Sequence, residues 1–122
     1  MRRVLVVEDN DDIRRALAEL LELEGLNPVQ AAHGAEAVER LTAGVVPCAI
    51  VLDLMMPVMD GWDFLKWLRD SPHRDTPVVV LTALSFDGDA DRLAREWNCT
   101  VLRKTGDLDR MLETVRALCP AE

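Results

Sequence analysis

Five short apolar segments recur along the chain, and each is followed by residues with a different, helical spacing. Most of these segments carry valine, isoleucine and leucine at consecutive positions, which is typical of strands buried on both faces of a parallel sheet. The second segment contains Pro28, which lacks a backbone donor and therefore predicts an edge strand. The predicted strands cover residues 3–7, 26–32, 48–53, 78–82 and 100–102.

The stretches between these segments place apolar residues three and four positions apart, which predicts amphipathic helices packed on the sheet. Alternating strands and helices with short connections favour an α/β fold, a doubly wound parallel sheet with right-handed crossovers. The predicted helices cover residues 11–24, 35–43 and 62–70, a fourth stretch capped among Ser85, Asp87 and Asp89 with its apolar face at 90–97, and a fifth stretch capped by Asp107 with its apolar face at 108–118.

Length and charge narrow the classes of protein further. The 122 residues suit one domain, and no Gly/Ser-rich or Pro-rich linker divides them, so a single domain over residues 1–122 is expected. The net charge of -8 argues against non-specific nucleic-acid binding, which needs a basic face. No apolar run approaches the roughly 20 residues of a membrane span, and the apolar start is too short for a signal peptide. A cytoplasmic location is therefore expected.

The three cysteines are far apart in the sequence and odd in number: Cys48, Cys99 and Cys119. No pair has the CxxC spacing of a zinc site, and three residues do not make a disulfide framework. Three reduced thiols, one or two of them buried, are therefore expected.

Polar side chains stand at the ends of four predicted strands. Glu8 and Asp9 follow the first strand, Asp53 ends the third, Thr82 ends the fourth, and Lys104 follows the fifth. The carboxyl ends of parallel strands open on one edge of a sheet, where ligands gather in such folds. Three carboxylates, one hydroxyl and one ammonium group are therefore expected to meet at that edge.

This set of groups suits phosphoryl chemistry. Clustered carboxylates repel one another, and a hard divalent cation such as Mg²⁺ relieves the repulsion. A hydroxyl and an ammonium group can stabilise a phosphoryl group, and a carboxylate can accept one as an aspartyl phosphate. Asp53 is the best candidate for the acceptor, because it stands alone on the central strand while Glu8 and Asp9 form a pair suited to metal. Taken singly, each residue also has an ordinary explanation as a cap, a strand end or a surface group.

The chain resembles a response-regulator receiver domain, the phosphoacceptor module of two-component signalling, along essentially its whole length. The resemblance lies in VLVVEDN at 4–10, VLDLMMPVMDG at 51–61, VVVLTA at 78–83 and LRK at 102–104. It implies a flavodoxin-like sheet of order 2-1-3-4-5. It also implies that Asp53 is phosphorylated by a histidine kinase or a phosphotransfer protein.

The resemblance assigns further roles within the same site. Thr82 would be the hydroxyl that moves to bond the phosphoryl group, and Lys104 the cation that pairs with it. The signal would pass to an unknown output protein through the face of the fourth helix, fifth strand and fifth helix, in a monomer or a phosphorylation-dependent dimer. Mg²⁺ would be held by the carboxylates of Glu8, Asp9 and Asp53 and by the backbone carbonyl of Met55.

Two residues depart from the family pattern. Thr105 follows the lysine where the family usually has a proline in a cis peptide, so a trans Lys104–Thr105 bond or a locally rearranged loop is predicted. Val101 replaces the usual aromatic switch residue. Both departures raise the alternative of a pseudo-receiver, an interaction module that no longer needs phosphorylation. An aspartyl-phosphate phosphatase is disfavoured, because Met55 stands where that class needs a second Asp.

Overall fold

A computed structural model describes residues 2–54, 59–82, 88–97, 99–103 and 106–120. Strands and helices alternate throughout these ranges, as the hydrophobic pattern predicts. The strands are β1 (Arg3–Val7), β2 (Asn27–Ala31), β3 (Ala49–Asp53), β4 (Val78–Thr82) and β5 (Thr100–Arg103). The helices are α1 (Asp11–Leu23), α2 (Gly34–Thr42), α3 (Gly61–Arg69), α4 (Gly88–Trp97) and α5 (Leu108–Leu118).

All strand pairs in the described sheet are parallel, in the order β2-β1-β3-β4-β5. The predicted flavodoxin-like order is confirmed, and so is the edge position of the strand that contains Pro28. The amide of Asn27 donates to Arg2 of the adjacent chain segment, at 2.8 Å. In a strand, the backbone N–H groups of successive residues point alternately toward the two neighbouring edges. The nitrogen of Pro28 therefore faces the outer edge of β2, where the missing N–H costs no hydrogen bond within the sheet.

The sheet separates two apolar layers. On one face, α2 and α3 pack on strand residues such as Leu5 and Ile50, and half-buried Trp97 of α4 joins them. On the other face, α1 and α5 pack on residues such as Val6 and Val79. Helices on both faces explain why the three central strands β1, β3 and β4 carry consecutive buried apolar residues rather than alternate ones.

Helices α1, α2 and α3 begin at side-chain caps, and those of α1 and α3 follow the ends of β1 and β3. The Asn10 carboxamide oxygen accepts a hydrogen bond from the amide of Ile13 at 3.0 Å, at the start of α1. The Asp60 carboxylate accepts one from the amide of Asp63 at 2.9 Å, at the start of α3. Each cap satisfies a backbone donor that lacks a partner within the helix. The helices that follow β1 and β3 therefore each have a well-defined first turn.

Asp107 is the exception, and the prediction that its side chain caps the last helix is wrong. It precedes α5 but makes no side-chain capping bond. Its carboxylate accepts instead from the amide of Arg103, at the end of β5, at 2.8 Å. The Asp107 backbone is not extended (φ -111, ψ 22), unlike that of a standard N-cap. Its carboxylate instead links the start of α5 to the end of β5. The predicted caps Ser85 and Asp87 lie outside the described residues.

The expectation of three reduced thiols is also wrong. Cys48 and Cys119 form a disulfide with a Cα–Cα distance of 5.4 Å, although 71 positions separate them in the sequence. Cys48 lies directly before β3 and Cys119 directly after α5, and α5 packs on the face of the sheet where both cysteines are found. The parallel topology brings them together, and sequence spacing carries no signal of that contact.

Among the described helices, all are too short or too polar to cross a lipid bilayer.

Candidate functional site

The carboxyl ends of the three central strands lie side by side, because β3 pairs in parallel with both β1 and β4. Asp53 ends β3, Thr82 ends β4, and Glu8 directly follows β1. These three side chains are buried, at 4%, 2% and 2% exposure respectively, whereas the adjacent Asp9 is exposed. The fold therefore places a hydroxyl and two nearly inaccessible carboxylates on one edge, with a third carboxylate at its rim.

The three acids form a compact group. One carboxylate oxygen from each of Glu8, Asp9 and Asp53 lies within 4.8 Å of the other two. Oxygen ligands stand about 2.1 Å from Mg²⁺ in octahedral geometry, so adjacent ligands are about 3 Å apart and opposite ones about 4.2 Å apart. The three oxygens are close enough to converge on one ion after side-chain adjustment. Because buried carboxylates are costly without compensating charge, the cluster could hold a divalent cation favourably.

Arg14 ties the acid-bearing turn to its surroundings, and its side chain is only 12% exposed. Its Nη1 donates to the backbone carbonyl of Glu8 at 3.0 Å. Its Nη2 lies 2.8 Å from the Asp11 carboxylate, and its Nε donates to the Gln30 side-chain oxygen at 3.2 Å. The carbonyl of Glu8 belongs to the peptide that leads to Asp9, so the guanidinium fixes the backbone between the two acids.

We expect Arg14→Lys to weaken divalent-cation binding about tenfold, as lost support around metal ligands commonly does. Lysine keeps the positive charge, but one ammonium group cannot reproduce a planar fork that serves three partners. Isothermal titration calorimetry with Mg²⁺ measures the change. Arg15→Lys, at the exposed neighbouring position, is the matched control. Unchanged affinity in Arg14→Lys would show that only the charge of Arg14 matters.

Gly61 places α3 directly against the backbone of the acid at the end of β3. Its amide donates to the carbonyl of Leu54 at 3.0 Å. A Cβ at this position would lie 2.6 Å from the Leu54 Cα and 2.7 Å from the carbonyl oxygen of Asp53. Only glycine permits this approach, so the start of α3 and the backbone of Asp53 are held in one fixed arrangement.

An apolar cavity of about 240 Å³ adjoins the acids on the face covered by α1 and α5. Glu8 and Asp53 contribute to its wall, and Val51 and Leu81 of the sheet lie opposite the helices. Ile13 of α1 is 36% exposed and Leu108 of α5 is 38% exposed, which is high for large apolar side chains. The remaining lining residues are Val7, Ala16, Leu17 and Leu20.

Several predicted site residues lie outside the described part of the chain. These are Lys104, Met55 and Thr105, so the predicted trans Lys104–Thr105 bond stays a prediction. Val101 is described: it is half-buried in β5 and packs against the core on the α2 and α3 face. The position that usually carries a mobile aromatic is thus filled by a short, β-branched core side chain.

Reasoning from the sequence missed Arg14 and Gly61 as supports of the site. The spacing of Asp11 and Arg14 is that of an ion pair on one helix face, which could have drawn attention to the arginine. Its contact with the Glu8 carbonyl depends on how the strand end meets the helix. Gly61 ends the motif at 51–61, and its close approach to β3 is visible only in three dimensions.

The fold and the acid cluster define a signalling receiver module rather than a classical enzyme. Residues 4–116 match the family model of the response regulator receiver domain, and the chain belongs to this family. The polar-differentiation response regulator DivK of Brucella anthropi is 30% identical over 118 residues, covering 95% of this chain and 94% of the relative.

Solved structures show the same relationship. The receiver domain of the Francisella response regulator 1452 superposes with a TM-score of 0.87 at 28% identity, covering 97% of this chain and 96% of that one. The response regulator TrrA of Thermotoga maritima, determined in complex with Mg²⁺-BeF, gives a TM-score of 0.82 at 29% identity. The alignment with TrrA covers 97% of this chain and 99% of that chain.

Proposed function

We propose that the chain is a phosphoacceptor response regulator of a two-component or phosphorelay system. It takes a phosphoryl group on Asp53 from a histidine kinase or a phosphotransfer protein and thereby switches its binding to an output protein. Residues 1–122 act as one receiver domain, located in the cytoplasm with its donor. The observation that carries the proposal is the cluster of Glu8, Asp9 and Asp53 oxygens within 4.8 Å at the carboxyl edge of the sheet.

The transfer uses the side chains at this edge. A carboxylate oxygen of Asp53 attacks the phosphorus and the bond from phosphorus to the donor imidazole breaks; with a proton on its other ring nitrogen, the imidazole leaves as the neutral base. Bound Mg²⁺ supplies charge neutralisation for the phosphoryl oxygens and the acids. The residues that would hold it are Glu8, Asp9, Asp53 and the carbonyl of Met55. Thr82 would donate its hydroxyl to a phosphoryl oxygen, and Lys104 would pair with another.

The apolar cavity beside Asp53 indicates where the phosphoryl donor protein would dock. Ile13 and Leu108 leave apolar surface exposed on either side of an opening whose wall includes Asp53. A partner that covers this surface would remove apolar area from water next to the acceptor and bring its phosphohistidine within reach. The output protein would contact the face formed by α4, β5 and α5. The chain itself would be a monomer or a phosphorylation-dependent dimer.

Intact-protein mass spectrometry after incubation with Mg²⁺ and acetyl phosphate tests the proposal. We expect one phosphoryl adduct on the wild-type chain and none without Mg²⁺. Asp53→Asn removes the nucleophilic charge but keeps the shape of the side chain, so it should carry no adduct. Asp12→Asn, an exposed acid of the first turn of α1, is the matched control and should be phosphorylated normally.

One combination of results favours the alternative. If the wild-type chain takes no phosphoryl group and also fails to bind beryllofluoride with Mg²⁺ by isothermal titration calorimetry, the phosphoacceptor proposal is wrong. The pseudo-receiver, which binds its partner without phosphorylation, would then describe the chain. A phosphoryl adduct that persists in Asp53→Asn would instead show that the acceptor has been misassigned.

A further inference from the structure

Helix α5 connects the acceptor cavity to the disulfide. Leu108, its first residue, lines the cavity together with Asp53. Cys119, which directly follows its last residue, is bonded to Cys48 at the base of β3. The 11 residues of α5 span about 16 Å at the rise of an α-helix. A single rigid element therefore has one end at the site and the other in a covalent bond.

The base of α5 is packed in the core through Val115 and Cys119, whereas its polar contacts are few and partly exposed. Cys119 accepts a hydrogen bond at its carbonyl from Arg2 Nη1, at 3.0 Å. Arg116 lies 3.2 Å from the Glu24 carboxylate, with side chains 49% and 30% exposed, and exposed pairs of this kind contribute little. Within the described residues the disulfide is the one covalent cross-link between the helix and the base of the sheet, in addition to the backbone that leads from β5. Its loss would leave this end of α5 held mainly by packing.

The two cysteines differ in accessibility. Cys48 is partly exposed, whereas Cys119 is 1% exposed. We therefore expect an external thiolate to attack at Cys48 first. Burial raises the pKa of the third cysteine, Cys99, to about 11, so little of it is thiolate at neutral pH and it competes poorly in exchange.

We propose that Cys48 and Cys119 form a reversible thiol–disulfide exchange site for a dithiol reductant, and that its redox state sets the lifetime of the phosphoryl group on Asp53. The second half of this proposal rests on the proposed function. In the cytoplasm proposed above, disulfides are mostly transient and redox-sensing. The bond would therefore alternate between two states rather than serve as a permanent staple.

The exchange balances without any further reactant. A thiolate of the dithiol attacks the Cys48 sulfur, the disulfide breaks, and Cys119 leaves as a thiolate that takes a proton. The second thiol of the reductant, as its thiolate, then attacks the mixed disulfide, and Cys48 leaves and is protonated. The dithiol loses two electrons and two protons, and the cysteine pair gains them. An oxidised dithiol, a cyclic or protein disulfide, reverses the sequence.

The helix transmits the change to the acceptor. When the bond is cut, the base of α5 can move away from β3, and a rigid helix carries that motion to Leu108. The cavity beside Asp53 is apolar, and loosening its wall admits water to an acyl phosphate. We therefore expect the reduced form to lose its phosphoryl group faster, by about threefold or more, within the range of known couplings between sites.

The test compares oxidised and reduced wild-type protein, each phosphorylated with acetyl phosphate and Mg²⁺ and followed by intact mass. Before the comparison, mixtures of reduced and oxidised dithiothreitol set the redox state, which alkylation and mass spectrometry report. Cys99→Ala should keep the response. Cys48→Ser/Cys119→Ser should decay like the reduced wild type and ignore dithiothreitol. Amide hydrogen exchange of wild-type α5 in both states serves if the double variant does not fold, with faster exchange expected after reduction.

Each outcome decides the matter. Equal phosphoryl lifetimes in the two states overturn the coupling. A pair that is never oxidised, or is never reduced without unfolding, overturns the exchange site. If neither state takes a phosphoryl group and neither binds beryllofluoride with Mg²⁺, the proposed function and the coupling fail together. The alkylation and hydrogen-exchange results still decide whether the pair exchanges reversibly and controls α5.

Discussion

Reducing the Cys48–Cys119 bond is expected to lower the free energy of unfolding by about 4 kcal/mol, the loss estimated for a closed loop of this length. The bond closes 71 positions of sequence, and its main effect is to restrict the unfolded chain. Reduction should also raise the dependence of the unfolding free energy on denaturant, because the reduced unfolded chain exposes more surface. Guanidinium unfolding with and without dithiothreitol, followed by circular dichroism, measures both quantities.

Cys99→Ala is the control for this experiment. It removes the cysteine that is outside the disulfide and is half-buried, so its stability should still respond to reductant as the wild type does. Identical unfolding curves for oxidised and reduced wild-type protein would contradict the prediction. They would mean that the bond does not restrict the unfolded chain or does not form in solution.

Replacing Gly61 with valine is expected to destabilise the protein by roughly 3 kcal/mol or more, the upper range for overpacked positions. Even the Cβ would approach the Asp53 carbonyl oxygen to 2.7 Å and the Leu54 Cα to 2.6 Å. Both obstacles are backbone atoms, so relief requires α3 or the end of β3 to move. Thermal unfolding measures the loss, and titration with Mg²⁺ should show weaker binding, because one of the acids moves with its backbone.

Gly44→Ala is the control that separates loss of stability from loss of Mg²⁺ affinity. Gly44 has a φ of +106° but has no heavy atom within 4 Å of a Cβ built there, and it lies at the end of α2, away from the acids. Alanine there should cost stability through backbone strain alone and leave Mg²⁺ affinity unchanged. A Gly61→Val protein with normal Mg²⁺ affinity would show that the acids tolerate movement of their backbone.

Most of the fold could be predicted from the sequence because local patterns determine it. Consecutive apolar residues identified buried strands, helical spacing identified the elements between them, and Pro28 identified an edge. The differences in element ends are small: β3 begins at Ala49 rather than Cys48, and α3 begins at Gly61 rather than Trp62. Strand and helix ends depend on caps and on neighbouring backbone, which a periodic pattern does not record.

The contacts that sequence could not predict join residues distant along the chain. Cys48 and Cys119 meet only because α5 packs beside the base of β3. Asp107 has the residue type of a helix cap, but its carboxylate bonds the amide of Arg103 instead. The grouping of acids at strand ends follows from parallel topology, whereas the support that Arg14 gives them depends on the meeting of β1, α1 and β2.

The outward orientation of Pro28 also bears on how the molecule avoids association. The outer side of an edge strand normally offers a row of amide donors to any extended chain that approaches it. On β2 that row is interrupted at Pro28, where the ring occupies the place of a donor. A strand from another molecule would lose a hydrogen bond and meet the ring near the start of the pairing. Pairing of further strands at this edge, as in fibrils or domain-swapped assemblies, is therefore disfavoured. Contacts with other proteins would then use side-chain surfaces rather than the edge of the sheet.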